Sequence, residues 1–547
     1  MRLQSELVWL PNTAYTAVPS AVVLATPPLP PAHTMVYTNH ALVIAVLLAW
    51  IVLTVPAAIA VDQSADQTAT PASQDSAPPV QSVVAAVPKR VDFDVALAPI
   101  AKDRLFRVAK TALVVVDVLT GETVYERKAN QQLVPASTMK VLTAASALQV
   151  LGPAYRFTTD VYVDGEVDQA GVLDGNLYVQ GHGDPTLVVE RLWKLVYDLR
   201  IRGIKEVRGD VVFDEGYFDT AYQLPGWDKK KDLRDGPSYF AYTSALSLNY
   251  NTAAVVVGPG AEVGQKARVF IETSAQDYVQ VVNEAVTGAA GTARWVEMER
   301  EVTADKVIFK VSGTVPSDDE VKIYYRSVVD PTAHFIAAWK DMEAVHGIKV
   351  EGKHRRGTVP PGADLAYTHR SVPITAILMD MNKYSNNFIA EHVLKAVGAE
   401  AYGAPGTTEK GVRYVQEYLK TLKVDPSHHH LVNGSGLSRS ATLRASVLTA
   451  VMVDMANNQA VGGEFRTTLA IAGLDGTLWA RLKDQPSKVR GKTGTIDGVH
   501  CLTGYVRAGD GRDYAFAFLV NDLRGGTSQA KRLHDRFLRR MFNVGDL

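Results

Sequence analysis

The chain has 547 residues, 47% of them hydrophobic and 21% charged, with a formal net charge of −1. That balance supplies material for several hydrophobic cores, so about two or three domains are expected, and it argues against nucleic acid as a partner because no basic excess exists to neutralise phosphates. The single cysteine, Cys501, excludes an intrachain disulfide and reads as a buried small hydrophobe.

Residues 1–40 form an N-terminal extension, and the first 61 residues contain only two formally charged side chains, Arg2 and Glu6. Residues 41–61 form an apolar run just long enough to cross a bilayer. The run closes on Ala58-Ile59-Ala60, a small-x-small pattern like a signal-peptidase site. It is expected to be a signal peptide or a membrane anchor, directing the protein to the periplasm or cell envelope. No basic segment precedes it; a true start at Met35 or an uncleaved anchor helix would each account for that. Residues 62–90, rich in Ala, Ser, Gln, Pro and Asp, read as a disordered linker.

Order is expected from residue 91. Thr111–Val118, the turn Leu119-Thr-Gly-Glu122 and Thr123–Tyr125 read as strand, turn and strand. Pro135-Ala136 open a helix that runs to Leu148 and stops at Gly152-Pro153. From 156 to 330, short β-rich runs alternate with Gly/Asp turns, interrupted by one helical stretch at Val188–Arg202, and read as an inserted β-rich domain. Helical character returns at Pro331 and holds to about Ala472. Strands follow at Val489–Lys492, Val499–Val506 and Asp513–Val520, with a closing helix at Ser528–Phe542. Segments 91–155 and 331–547 are therefore expected to form one α/β (α+β) domain, a mixed antiparallel sheet flanked by helices and built from both ends of the folded chain.

Three short strings carry the chemistry: Ser137-Thr-Met-Lys140, Ser385-Asn-Asn387 and Lys492-Thr-Gly494. A serine hydroxyl needs a neighbouring base to attack a carbonyl. On a helix, positions i and i+3 share a face, so Lys140 can reach Ser137. Lysine serves as base only if burial and nearby positive charge lower its pKa, and Lys492 is expected to supply that charge. A serine in the first helical turn also lies beside free backbone N–H groups suited to an oxyanion. Ser385 and Asn387 fall at a corner between helices predicted at Ile374–Tyr384 and Phe388–Val397. There Ser385 can relay a proton to a leaving amine, and Asn387 can hold Lys140 through its carbonyl. Lys492, Thr493 and Thr495 on a strand edge form a socket for a carboxylate, Gly494 leaves room for a substrate backbone, and the Thr495 N–H is a second oxyanion donor.

Each string alone is common: Ser385 or Asn387 as a helix cap, Ser137 with Lys140 on an ordinary helix, or Lys492-Thr-Gly494 on a solvated edge strand. Their joint occurrence in order, each in the required local setting, points to a catalytic site. The set S-x-x-K, S-D-N and K-T-G occurs in class A β-lactamases and penicillin-binding proteins. Ser247-Leu-Asn249 is a rival S-x-N, but it sits in the β-rich block without a helix corner. His428-His-His430 reads as a solvated loop and His182 as structural, so no metal and no cofactor are expected.

The chain resembles the D-alanyl-D-alanine carboxypeptidase/endopeptidase family of class C low-molecular-mass penicillin-binding proteins, the S13 peptidases. Beyond the three motifs, the stretches Gly181–Leu187, Ser244–Asn249, Gly434–Arg439, Ala472–Leu478 and Val489–Ile496 read like that family, over about residues 95–540. So does the long gap between Ser137 and Ser385, where the family carries two small β-rich domains. The resemblance implies a serine β-lactamase/transpeptidase-like fold with Ser137 as acylated nucleophile and Lys140 as its base. Ser385 and Asn387 would form the second motif, and Lys492, Thr493 and Thr495 the carboxylate site. It further implies action on peptidoglycan stem peptides and covalent inhibition by β-lactam antibiotics, without a metal. Asn433 departs from an Asp often found there. A β-lactamase or broad esterase, and a non-catalytic murein-binding protein, are the alternative readings; the large insertion and the intact side chains speak against them.

Overall fold

The computed structural model of the protein describes residues 92–544, apart from 228–233, 241 and 273. The extension, the apolar run and the linker lie outside the described residues. No described helix is long and apolar enough to cross a membrane.

The site is organised by a six-stranded sheet made from both ends of this region. Its strands are β1 (Lys110–Asp117), β2 (Thr123–Arg127), β3 (Ala470–Ile471), β4 (Val489–Ile496), β5 (Val499–Arg507) and β6 (Asp513–Asn521). They lie in the order β2-β1-β6-β5-β4-β3, and every pairing between them is antiparallel. β1 is buried on both faces, which is why Ala112–Val116 reads as an unbroken apolar run rather than an alternation. Alternate residues serve different cores. Ala112, Val114 and Val116 face one helical layer, while Leu113 and Val115 face the other, with the closing helix Ser528–Phe542 and the helix Phe93–Ala101.

The first layer holds α1 (Lys140–Leu151), α2 (Ile374–Lys383) and α3 (Asn387–Tyr402). A 3₁₀ turn, Ala136–Met139, leads into α1. Ala144, Ala145 and Ala147 are fully buried, and their small side chains let α1 run through the middle of the layer. α3 starts where the Asn386 side chain accepts a hydrogen bond from the Ile389 N–H (3.0 Å), a standard N-cap. It is buried along most of its length.

Between Thr158 and Arg370 the chain builds other sheets. The largest has five strands, in the order His354–Arg356, Val211–Asp214, Leu177–Gly181, Thr158–Val163 and Asp364–Arg370. The helix Val189–Ile201 is the crossover between two of its parallel members. The β-rich run Glu206–Asp214 forms two short strands, Glu206–Val207 and Val211–Asp214, broken where a Cβ on Gly209 would lie 2.5 Å from the Gly175 carbonyl oxygen. The expected return to the catalytic part at residue 331 comes too early. Phe335, Trp339 and Met342 of the helix Pro331–His346 bury into the core of the β-rich part. Strands 354–356 and 364–370 pair with its sheet, so this part extends to about residue 370. Helical periodicity identifies the element but not the core that receives it.

Candidate active site

The three motifs converge at the junction of α1, the α2–α3 corner and β4. Pro135 and the 3₁₀ turn present Ser137, which is partly exposed, one turn before Lys140. Lys140 is fully buried. Its Nζ lies 3.0 Å from Ser137 Oγ, 2.7 Å from Asn387 Oδ1 and 2.9 Å from the Ser435 carbonyl oxygen. Burial drives its pKa down to about 7, and the carboxyl of Glu391 opposes that fall.

Glu391 lies one turn beyond Asn387 on α3 and has no exposed surface. Its carboxylate accepts from the backbone N–H groups of Gly434 (3.0 Å) and Ser435 (2.9 Å). It thereby fixes the turn whose Ser435 carbonyl anchors Lys140. Burial raises its own pKa, offset in part by those hydrogen bonds and by Lys140. Asn433 shapes the same turn, its Oδ1 accepting from the Gly436 N–H at 3.0 Å. A Cβ on Gly436 would sit 2.0 Å from the Ala136 carbonyl oxygen, so glycine alone permits this loop to press against the nucleophile turn.

Ser385 occupies the corner between α2 and α3, with its hydroxyl 2.9 Å from Lys492 Nζ. The corner requires a left-handed backbone at Ser385 (φ 63°), and Ala136 beside Ser137 is left-handed too (φ 48°). Two non-glycine residues in that region flank the same pocket, a pattern of strain found at functional sites. Asn387 uses its amide N–H toward the Tyr239 carbonyl oxygen (3.2 Å).

Lys492 is fully buried, and its Nζ also donates to the Thr493 carbonyl oxygen (2.7 Å). Burial, then repulsion by Lys140, hold its pKa well below the ordinary lysine range. The expectation that Lys492 depresses Lys140 is corrected in emphasis: desolvation dominates for both amines, and their repulsion disfavours charging both at once. On β4, a Cβ on Gly494 would meet the Pro135 carbonyl oxygen at 2.7 Å and Ser137 N at 2.9 Å. The strand therefore runs directly against the serine turn, so the space expected to admit a substrate backbone beside Gly494 is taken up by that turn. Thr493 Oγ1 contacts Thr477 Oγ1 (2.8 Å), and the exposed Thr495 turns its Oγ1 to His500 Nδ1 (2.8 Å). β3 covers β4 only at Arg490 and Gly491, so among the described residues no strand covers the outer edge from Lys492 to Ile496.

Sequence reasoning missed Glu391, the Ser435 carbonyl, Thr477 and His500. For Glu391 a signal existed: an acid one turn after Asn387, inside the apolar run Phe388–Val397. The rival Ser247-Leu-Asn249 stays apart. Ser247 Oγ lies 3.1 Å from His392 Nε2, and Asn249 Oδ1 accepts from the Val189 N–H at 3.0 Å. His182 Nδ1 lies 3.1 Å from Thr158 Oγ1. His429–His430 form a short strand against Thr442–Leu443, and His428 Nε2 lies 2.7 Å from Arg444. Among the described residues no group of three or more His, Cys, Asp or Glu side chains is placed to hold a metal ion.

Residues 94–540 match the family described as D-Ala-D-Ala carboxypeptidase 3 (S13). The chain is 34% identical over 453 residues to the D-alanyl-D-alanine carboxypeptidase of an Actinomadura species, covering 80% of this chain and 81% of that one. It is 27% identical over 406 residues to the D-alanyl-D-alanine carboxypeptidase DacB of Haemophilus influenzae, covering 73% and 82%. The crystal structure of penicillin binding protein 4 (dacB) from H. influenzae shares the fold, with a TM-score of 0.71 at 24% identity over 80% of this chain and 98% of that one. With a family match across nearly all the described residues and a relative above 30% identity at four-fifths coverage, the chain belongs to the D-Ala-D-Ala carboxypeptidase 3 (S13) family of peptidases.

Proposed function

We propose that the protein is a serine-type, penicillin-sensitive D-Ala-D-Ala carboxypeptidase acting on peptidoglycan stem peptides in the cell envelope. The observation that carries this reading is the amine of Lys140, buried and 3.0 Å from Ser137 Oγ. As the free amine it takes the Ser137 proton while Oγ bonds to the carbonyl carbon of the penultimate D-alanine. The N–H groups of Ser137 and Thr495 receive the oxyanion. Ser385, hydrogen-bonded to Lys492, passes a proton to the amine of the terminal D-alanine as the peptide C–N bond breaks. Water then attacks the ester and restores Ser137. Lys492, Thr493 and Thr495 hold the terminal carboxylate, whose negative charge favours the protonated form of Lys492. The open edge of β4 takes the peptide backbone as an added strand. A β-lactam enters the same way, but its leaving nitrogen stays tethered to the acyl group.

The same groups serve a D-Ala-diaminopimelate cross-bridge, so endopeptidase action belongs to this reading as well. The catalytic part is assembled from the stretches on either side of the β-rich block, and residues 41–61 act as export signal or anchor. The test is fluorescent penicillin labelling together with D-alanine release from a pentapeptide. Both are expected to vanish in Ser137→Ala; release that persists in that variant overturns the assignment. Mass analysis of digested cross-linked muropeptides then separates the two peptidase activities.

A further inference from the structure

Both hydroxyls assigned above to the carboxylate socket are backed by a second side chain. Thr477 stands behind Thr493, and His500 behind Thr495. The second contact is fixed by the backbone, because Thr495 and His500 are directly opposed in the antiparallel register of β4 and β5. The His500 side chain is buried, at 1% exposure. Its ring stacks on that of His534 on the closing helix, with centroids 5.2 Å apart and planes 21° from parallel. Its Nε2 is buried and meets no hydrogen-bonding group among the described residues.

We propose that His500 is a positioning residue for substrate recognition: its Nδ1–H donates to the Thr495 hydroxyl oxygen, leaving the hydroxyl proton of Thr495 to be given to the terminal carboxylate of the acyl donor. This rests on the reading of Thr495 as a carboxylate ligand and adds the group that orients it.

A neutral imidazole has one proton for two nitrogens. With the proton on Nε2, a buried N–H would have no acceptor, and Nδ1 would draw the Thr495 proton inward, away from any ligand. With it on Nδ1, the N–H has an acceptor and only a lone pair goes unused. Buried donors without acceptors are the rarer of the two arrangements. Burial, aided by the positive charges of Arg481 and Lys531, pushes the His500 pKa down to about 3, so the ring stays neutral where the enzyme works. His534 is held below its usual range by burial and by His500, so the stacked pair adds no charge behind the socket. A hydroxyl that accepts from behind and donates in front is a polarised donor suited to an anion.

The test compares acylation by benzylpenicillin, which carries the carboxylate, with acylation by its methyl ester, which lacks the charge. In His500→Leu the ratio of the two rate constants is expected to fall by about tenfold, the scale of one hydrogen bond to a charged group. His500→Asn, which keeps an N–H near the position of Nδ1, restores the ratio. Thr495→Val lowers it as His500→Leu does, and the double variant lowers it no further. Equal slowing of both probes in His500→Leu would mark a purely structural role and overturn the proposal. So would an unchanged ratio in His500→Leu alongside a lowered one in Thr495→Val. An unchanged ratio in Thr495→Val would instead sink the carboxylate assignment itself, and the inference with it.

Discussion

Lys140 is subject to two opposed influences, and one substitution separates them. Burial lowers its pKa from 10.5 to about 7, while the neighbouring Glu391 carboxyl resists the fall. That interval corresponds to about 5 kcal/mol disfavouring the ammonium. It lifts the neutral fraction near neutral pH from about one in three thousand to about one half. Acylation by penicillin needs the free amine, so its second-order rate constant is expected to climb about tenfold per pH unit on the acid side and to level off above about pH 7. Glu391→Gln keeps the shape of the side chain but removes the charge that favours the ammonium. The midpoint of the limb is then expected to move to lower pH, by about one unit, while the lost acceptor for Gly434 or Ser435 N–H costs about 1–2 kcal/mol of stability. The assay is stopped-flow acylation of both proteins between about pH 5 and pH 9. A profile without an acid limb, or a midpoint that rises in Glu391→Gln, would refute the reasoning.

Gly436→Ala places a Cβ 2.0 Å from the Ala136 carbonyl oxygen at a φ of 77°. It is expected to destabilise the fold by more than about 1 kcal/mol, seen as a lower Tm, and to slow acylation by displacing the serine turn. Ser385→Ala is expected to slow acylation by about a hundredfold through loss of proton relay, with Tm little changed, because alanine meets the same left-handed backbone. Cys501 is fully buried and its thiol pKa is pushed up to about 12. An aromatic disulfide reagent is therefore expected to leave the native protein unmodified near pH 8 and to titrate one thiol after unfolding in guanidinium.

The elements that the chain announces by local pattern were legible. The run Ala112–Val116, the helix corner at Ser385 and the closing helix Ser528–Phe542 each carry their periodicity and punctuation within a short window; the helix expected to open at Pro135-Ala136 begins instead as a 3₁₀ turn, with Ala136 left-handed and regular helix only from Lys140. The side chains of the three motifs were legible for the same reason, since their chemistry and spacing are local. What escaped depends on segments that meet only after folding. The Ser435 carbonyl reaches Lys140 across a sequence separation of 295 residues, and nothing near either residue foretells it. Backbone carbonyls carry no residue-type signal at all. The reach of the β-rich part to residue 370 was hidden because the helix Pro331–His346 resembles those of the first layer, and only its contacts with the other core reveal where it belongs.

The interleaving of β1 and β2 with β4, β5 and β6 in one sheet has a consequence for biosynthesis. A ribosome delivers the serine turn long before the strand that carries Lys492, and between them comes a block able to satisfy most of its own hydrogen bonds. Until the last strands emerge, β1 exposes an apolar edge that invites association with other chains, and the distant pairing that finally covers it makes for slow folding. A prematurely terminated chain therefore lacks both the anchoring amine and the shielding of its first hairpin. The catalytic constellation is complete only once β4, which carries Lys492, has been made.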